Sequence, residues 1–423
     1  ALDDVALDYD AALGIGSHFA ENVAGEIKVE TSQYAAALGR LRDLLWGSIF
    51  SVERLRVAAH KLVQSLPEQK RDGRAVSWAL TRSMLMSSGD SASLANSVLT
   101  QATAMPNILS VLHESPARVV EEMEDIRDTM LRPDLLRVSV AGDILALKEP
   151  RSTWQREFLP SDMHVPHPQP VTLTWAAEVS SELGKRPQRR GLICALSTIE
   201  SSFAVFTTRG LTNYKDPDYA PLVVTITILN AMESFLWRYI RGAGLAYGAT
   251  IRSDPEAQHI YFSLYRAPDA AKAFVEGRKV ISALADEKNP LSIDQTTLES
   301  AISSLHYSVA ESEGTVGAAA LESFVDTIVK RTSKGHGQRL LAAASKVTLD
   351  DVQRCLVRYI LPLFDAKSSV CAVAAAPSAV DAIQRALEDA GYAMERHEMP
   401  TVSTPFHSDS ESDATSGTES DDV

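Results

Sequence analysis

Cysteine is scarce in this chain of 423 residues, which contains Cys194, Cys355 and Cys371 and no pair spaced as C-x-x-C. An odd set of three excludes the kind of disulfide framework that stabilises small secreted domains. The sequence therefore predicts a protein of a reducing compartment. Each thiol is expected to be a small buried core residue rather than a catalytic thiolate.

Metal-ligating and nucleophile motifs are also missing. The sequence contains neither H-E-x-x-H nor H-x-x-E-H, the two arrangements that place imidazoles around zinc on one helix face. The nearest approach runs from His18 to Asn22, where asparagine, a poor zinc ligand, replaces the second histidine. His164 and His167 lie in a proline-rich stretch that no helix would hold. A G-x-S-x-G elbow, a P-loop and a G-x-G-x-x-G turn are absent too. We expect this chain alone to bind no metal and no cofactor.

Long apolar runs and an excess of basic residues are lacking as well. The apolar run from Leu222 to Leu229 is broken by two threonines and is too short to cross a bilayer. The formal net charge of −14 disfavours a phosphate backbone as the main partner. These features predict that neither a membrane nor a nucleic acid is a partner of this chain. The chain begins at Ala1 without a targeting segment, so we expect a fragment or processed product, cytoplasmic or alternatively mitochondrial.

What the chain does contain is a helical first region. Residues 26 to 30 alternate as a short strand, and helices are predicted from about residue 31, after Ser51 and, in three pieces, over 73 to 131. A strand is predicted over 136 to 141. Residues 1 to 150 are therefore interpreted as a helical layer on a sheet, followed at 151 to 190 by a proline-rich linker.

The second region, 191 to 400, mixes strands and helices. Strands at 191 to 197 and 202 to 208 are predicted to form a hairpin, and a long apolar helix is predicted from about Tyr219 to Tyr239. Strands near 247 to 252 and 258 to 265 precede several helices, of which two have capping-box spacing at their starts, Ser292 and Thr348. A short strand from Val370 to Ala374 comes late in the region.

Both regions end with a helix, a break and a short apolar strand, which indicates a duplicated unit. The predicted fold class is α+β, with two homologous α/β-sandwich units in which helices cover a mixed sheet. From about residue 400 the composition is serine, threonine, aspartate and glutamate. Such a segment has almost nothing apolar to bury, so 401 to 423 is predicted to be a disordered acidic tail.

One segment connects the apolar helix to the strand after it: Trp237-Arg238-Tyr239-Ile240-Arg241-Gly242-Ala243-Gly244-Leu245-Ala246-Tyr247-Gly248. Its glycines suit a helix stop, with Gly242 or Gly244 in the left-handed conformation. In that interpretation Arg241 only complements the helix dipole and Tyr247 is an ordinary strand aromatic. The alternative is that Arg241 and Tyr247 form a functional pair.

This segment, from Asp216 to Gly248, resembles the carboxyl-terminal half of the pitrilysin and insulysin family of inverzincin zinc metallopeptidases. Insulin-degrading enzyme, presequence protease and the mitochondrial processing peptidase belong to that family. The strand Gln258-His259-Ile260-Tyr261-Phe262 and the helix start Val347-Thr348-x-x-Asp351-Val352 follow in the same order, and the resemblance covers residues 1 to about 395.

The resemblance implies a clamshell of four α+β domains that closes over a peptide. Residues 1 to 150 would be its third domain, truncated at its start, and 191 to 400 its fourth. Zinc would lie in the complete enzyme, bound by an amino-terminal half that this chain lacks. By resemblance Arg241 binds the substrate and Tyr247 is the catalytic residue that stabilises the oxyanion.

Three functions follow as hypotheses. The first is the non-zinc half of a zinc metalloendopeptidase that acts with the amino-terminal half-clamshell on peptide substrates. The second is a catalytically inactive structural homologue resembling a core subunit of a respiratory complex. The third is an unrelated α+β binding module.

Overall fold

The structure, a computed structural model, describes residues 8–15, 18–159, 172–286 and 288–400. The first region opens with an antiparallel hairpin and continues as helices. Its elements are β1 (Asp8–Ile15), β2 (His18–Lys28), α1 (Tyr34–Leu45), α2 (Val52–Gln69), α3 (Gly73–Leu85), α4 (Ala92–Ala95), α5 (Val98–Glu114) and α6 (Pro116–Met130).

The chain after the first region supplies a sheet and the helices around it. Two short helices come first, and π-helical turns interrupt or extend several of the later ones. The elements are α7 (Pro150–Thr153), α8 (Glu182–Lys185), β3 (Arg190–Ala195), β4 (Ser202–Arg209), α9 (Tyr219–Asn230), β5 (Gly248–Asp254), β6 (His259–Ala267), α10 (Ala270–Ala285), α11 (Gln295–Ser312), α12 (Val316–Phe324), α13 (His336–Ala344), α14 (Leu349–Cys355), β7 (Ser369–Ala375), α15 (Pro377–Asp389) and β8 (Ala393–His397).

The six strands β3 to β8 form one mixed sheet in the order β5-β6-β4-β7-β3-β8. Strand β3 runs parallel to β7 and β8, whereas the other pairs are antiparallel. The α+β class with a mixed sheet is therefore confirmed. The predicted hairpin of 191 to 197 with 202 to 208 is wrong, because β7 lies between these strands and pairs with both.

The two faces of this sheet are covered by helices from different regions. Alternate residues of β7 point to opposite faces, as strand geometry requires. Cys371, Val373 and Ala375 join the core formed with the later helices, where Phe206 stacks on Phe274 at 4.3 Å between ring centroids. Residues Val370, Ala372 and Ala374 of β7 instead join the core formed with α2, α3 and α5. The helices of the first region therefore cover one face of the sheet, and the later helices cover the other.

Three local predictions need correction: a strand in the first region, a sheet in the same region and the cap of one later helix. The chain over 136 to 141 has no regular secondary structure, and Val138 and Val140 are exposed, because no strand among the described residues lies beside this segment to pair with it. Among the described residues of the first region the only strands are β1 and β2, so a mixed sheet of its own is not seen there. The cap of α11 is Asp294 rather than Ser292, whereas the capping box of Thr348 and Asp351 is confirmed.

The described parts of the proline-rich segment are packed rather than extended. The Trp175 ring is buried, its Nε1 donates to the carbonyl oxygen of Val329 at 2.8 Å, and the guanidinium of Arg331 lies 4.2 Å from its ring centroid. Residues 160 to 171, with His164 and His167, and the acidic tail 401 to 423 lie outside the described residues. The expectation of a disordered tail therefore stays a prediction, as does the placing of domain boundaries at 150 and 190.

Cys194, Cys355 and Cys371 are all buried, as predicted, and none forms a disulfide within the described structure. Burial raises the pKa of the Cys194 thiol to about 11 and that of Cys355 to about 12. A thiol with so high a pKa is a poor nucleophile at neutral pH. Within the described ranges, no helix is both long and apolar enough to cross a membrane.

Glu256, in the turn between β5 and β6, joins three segments. Its side chain is 3% exposed and accepts the backbone N–H of Ala176 at 2.8 Å. Burial raises the pKa of the Glu256 carboxyl to about 8, and the Asp254 carboxylate adds to the rise. Backbone N–H groups of Ala176 and Phe19 oppose it. At neutral pH the native chain therefore keeps Glu256 protonated.

We expect Glu256→Gln to stabilise the chain in a pH-dependent way. The unfolded carboxyl has its ordinary pKa near 4.5, so the stability from the neutral native form is complete below that pH and is lost as pH rises to about 8. Glutamine keeps an acceptor oxygen and cannot ionise. The variant should be more stable than the wild type by about 4 kcal/mol at pH 8 and nearly equal at pH 4.5. Denaturant titrations at both pH values measure this difference. The same pH dependence in Glu121→Gln, an exposed control on α6, would show that burial of Glu256 is not its cause.

Candidate functional site

The segment that carries Arg241 and Tyr247 is a π-helical turn followed by a glycine loop. Helix α9 ends at Asn230, earlier than predicted, and Trp237–Arg241 forms a separate turn closed by the bond from Gly242 N–H to the carbonyl oxygen of Trp237 at 2.7 Å. A Cβ at position 242 would lie 2.7 Å from the carbonyl oxygen of Arg238, and Gly244 has φ +72°. Both glycines are therefore required by the turn.

The buried side of the turn fixes the exposed side. Leu236, Ile240 and Ala246 are buried in the core beneath the sheet, and the Leu245 N–H donates to the carbonyl oxygen of Ile240 at 2.9 Å. These anchors hold the loop against β5. Arg241 lies on the solvent side, and Tyr247, which is 61% exposed, lies there too.

The structure brings Arg241 and Tyr247 together. The Arg241 Cζ atom lies 4.7 Å from the centroid of the Tyr247 ring, a cation–π contact. The ring also makes an edge contact with Tyr265, at 6.2 Å between centroids. This contact holds the guanidinium over the ring, and its N–H groups, which make no hydrogen bond to described residues, can donate to a ligand.

Both polar groups of the pair are available to a ligand. Hydrogen bonds between described residues involve the hydroxyls of Tyr34, Tyr261, Tyr359 and Tyr392, whereas the Tyr247 hydroxyl makes none. Arg241 enters no ion pair within the described chain. A hydroxyl and a guanidinium side by side can donate to carbonyl oxygens or to an oxygen that carries negative charge.

The residues present do not fit a zinc ion. No group of three histidine, cysteine, aspartate or glutamate side chains converges among the described residues. The run from His18 to Asn22 lies in strand β2 rather than on a helix. The Glu21 carboxylate accepts the hydroxyl of Ser91 at 2.8 Å and the N–H of Ala92 at 2.6 Å, while the Asn22 amide donates to Thr174. These contacts give the run a structural role.

Sequence reasoning missed Tyr265 and Arg266, which adjoin the pair. The Tyr247 N–H donates to the carbonyl oxygen of Arg266 at 3.1 Å, and the Arg266 Cζ atom lies 5.3 Å from the Tyr265 ring centroid. A tyrosine followed by an arginine near the end of a strand is too common to be a signal. The pairing of β5 with β6, which the sequence does not reveal, is what places them here.

No model of a known protein family matches the chain. Its curated relatives are uncharacterized proteins: C3H1.02c of Schizosaccharomyces pombe is 25% identical over 372 residues, and YOL098C of Saccharomyces cerevisiae is 24% identical over 385. The two alignments cover 87% and 88% of this chain but 35% and 36% of those proteins. The chain thus spans little more than a third of the length of these relatives.

The fold is similar to that of solved proteases. A protease from Helicobacter pylori matches with a TM-score of 0.62 at 11% identity, covering 88% of this chain and 83% of that one. The periplasmic protease PqqL from Escherichia coli matches with a TM-score of 0.53 at 12% identity, covering 88% of this chain and 38% of that one. A conserved protein from Enterococcus faecalis V583 gives 0.59 at 13% identity, covering 88% and 82%. At these identities the likeness establishes a shared fold alone.

Proposed function

We propose that this chain is the carboxyl-terminal, non-zinc half of a zinc metalloendopeptidase of the pitrilysin and insulysin family. The observation that carries the proposal is the exposed Arg241 and Tyr247 pair, stacked at 4.7 Å with unused donors. It lies in a chain whose fold is similar to that of two proteases.

In this proposal the two side chains have different tasks. Arg241 binds backbone carbonyl oxygens of the peptide, because a guanidinium offers several donors in one plane. Tyr247 donates its hydroxyl hydrogen bond to the carbonyl oxygen at which negative charge develops when the peptide bond is attacked. The described residues do not fit zinc, so the metal would belong to another part of the complete protein, and no step is assigned to it here.

The partners follow from the same proposal. Peptides are the substrates, and the amino-terminal half-clamshell, in the same polypeptide or as a separate chain, completes the enzyme. The relatives are nearly three times as long as the matched segment, which leaves room for such a half in one polypeptide. A cytoplasmic location, with the mitochondrion as alternative, and the lack of membrane and nucleic-acid partners are proposed with it.

A catalytically inactive homologue is the second candidate function. The lack of a metal-ligating cluster among the described residues fits this candidate as well as the first, which places zinc in another part of the complete protein. The two candidates differ in what the complete polypeptide does with a peptide: the first hydrolyses it, and the second binds it at most.

Replacing Arg241 with alanine tests the substrate-binding role. We expect KM for peptides to rise by about 10-fold while kcat changes by less than about 3-fold, because contacts to the peptide backbone form already in the ground state. Steady-state kinetics of the complete polypeptide measure both constants.

Arg238→Ala is the matched control. Arg238 is exposed on the same turn, and its guanidinium donates to the carbonyl oxygen of Glu233 instead of stacking on Tyr247. Equal effects of the two substitutions on KM would mean that general positive charge, and not the stacked arginine, attracts the substrate.

A further inference from the structure

The Arg241 and Tyr247 pair is one end of a longer exposed structure. Arg241 stacks on Tyr247, Tyr247 contacts Tyr265 edge to face, and Arg266 stacks on Tyr265. We name these four residues the arginine–tyrosine ladder. The ladder starts at the loop before β5 and ends near the end of β6. It therefore lies across the edge strand β5 and its neighbour β6.

The two guanidiniums of the ladder lack carboxylate partners. Neither Arg241 nor Arg266 enters an ion pair with any residue that the structure describes, although the chain carries a net charge of −14. Both are exposed. Each guanidinium lies over a ring and makes no hydrogen bond to described residues, so its N–H groups can bind a carboxylate through two parallel hydrogen bonds.

The backbone supplies an independent observation at Arg266. The register of β4 against β6 shifts between Ser202 and Ala204, so that Tyr265 and Arg266 together stand opposite Phe203, as in a β-bulge. Arg266 there has φ +50°, the left-handed conformation that glycine adopts without strain. Bulges redirect side chains, and strain of this kind accumulates at binding and catalytic sites. Arginine costs stability at this position and places a guanidinium on the Tyr265 ring.

We propose that the arginine–tyrosine ladder binds a carboxylate of a peptide, and that Arg266 makes the protein select acidic peptides. This inference rests on the proposed function for its setting, because it names the class of substrate that the same site takes. The carboxylate comes either from a glutamate or aspartate side chain or from the carboxyl terminus of the peptide. Both sources present the same planar anion to a guanidinium.

Fluorescence anisotropy with the complete polypeptide tests the proposal without relying on peptide hydrolysis. The probes are rhodamine-labelled peptides of equal length that carry glutamate or glutamine at the same positions, each with a free or an amidated carboxyl terminus. At about 0.15 M salt we expect the carboxylate-bearing peptides to bind about 10-fold more tightly than the neutral amidated one. The four arms show which carboxylate is read.

Three variants locate the preference. Arg266→Ala should reduce it to about 3-fold or less, and adding Arg241→Ala should abolish it. Arg385→Ala removes the same charge from α15, which packs near the opposite edge of the sheet, and should leave the preference unchanged.

A further variant tests the backbone strain at position 266. Arg266→Gly loses the guanidinium and also the strain, so its melting temperature should exceed that of Arg266→Ala by about 2 °C.

Several results would overturn the proposal. They are equal binding of the acidic and neutral peptides, an undiminished preference in the double variant, or equally tight binding of a single-stranded oligonucleotide of the same charge. Equal melting temperatures of the glycine and alanine variants would refute the strain argument. If the complete polypeptide hydrolyses peptides without any acidic preference, this inference fails alone. If it shows the preference in binding but hydrolyses nothing, the proposed function fails alone.

Discussion

If the complete polypeptide is a peptidase as proposed, we expect Tyr247→Phe to lower its kcat by about 100- to 1,000-fold, the usual cost of one lost oxyanion donor. The substitution removes only a hydroxyl that makes no hydrogen bond to described residues, so folding should be unaffected. The loss should be similar in kcat and in kcat/KM, because the hydrogen bond to the oxyanion forms mainly in the transition state. In contrast, Arg241→Ala should act mainly on KM.

The matched control for this prediction is Tyr307→Phe, which removes a hydroxyl from an exposed ring on α11, outside the ladder. We expect it to keep kcat within about 3-fold of the wild type, because no catalytic contact is assigned to that hydroxyl. If Tyr247→Phe kept full kcat and only lowered the melting temperature, Tyr247 would be a structural residue of the strand and its assignment would be wrong.

Core substitutions on the two faces of the sheet should each cause a large loss of stability. Leu80 on α3 is fully buried in the core that the first-region helices form with one face of the sheet, and Phe206 is fully buried on the opposite face. Leu80→Ala and Phe206→Ala should each destabilise the chain by about 3 to 5 kcal/mol, because neither cavity can collapse fully. Since both faces belong to one sheet, both substitutions should shift the same cooperative transition.

Urea unfolding of the chain, monitored by tryptophan fluorescence and by circular dichroism, measures the loss of stability and the number of transitions. We expect one coincident transition in the wild type and in both variants, whereas Leu145→Ala, at a side chain that is 98% exposed, should change stability by less than about 0.5 kcal/mol. Two separate transitions, with Leu80→Ala shifting only one of them, would mean that the first region folds as an independent domain.

The elements of the second region could be predicted well because their patterns are local. The apolar run Val370 to Ala374 predicted a buried strand, and β7 extends it by one residue at each end. Likewise, the capping box at Thr348 is set by side chains three residues apart. Periodicity of this kind identifies an element and the face that it buries.

What covers a buried face could not be predicted from the sequence. The pattern of α3 shows that Leu80 is buried but not that its partners are strands more than 100 residues later. For the same reason the insertion of β7 between β3 and β4 was missed, since alternation within a strand does not specify its neighbours.

The candidate site was predictable only in part. The resemblance to a peptidase family points to Arg241 and Tyr247, and their contact is a geometric finding of the structure. Their catalytic and substrate-binding roles stay predictions. Arg266 could not be predicted, because its place in the ladder depends on a bulge and on strand register, neither of which has a sequence signature here.

Peptide hydrolysis by the complete polypeptide, measured together with its zinc content, tests the central claim most directly. If this chain is the non-zinc half, the complete polypeptide holds one zinc and hydrolyses quenched fluorescent peptides in a reaction that stops on chelation and returns with zinc. The present chain alone, dialysed against zinc, then holds none stoichiometrically and hydrolyses nothing. One tightly held zinc on the present chain, or a zinc-loaded complete polypeptide that cleaves no peptide, would contradict the claim that this chain is the non-zinc half of a metalloendopeptidase.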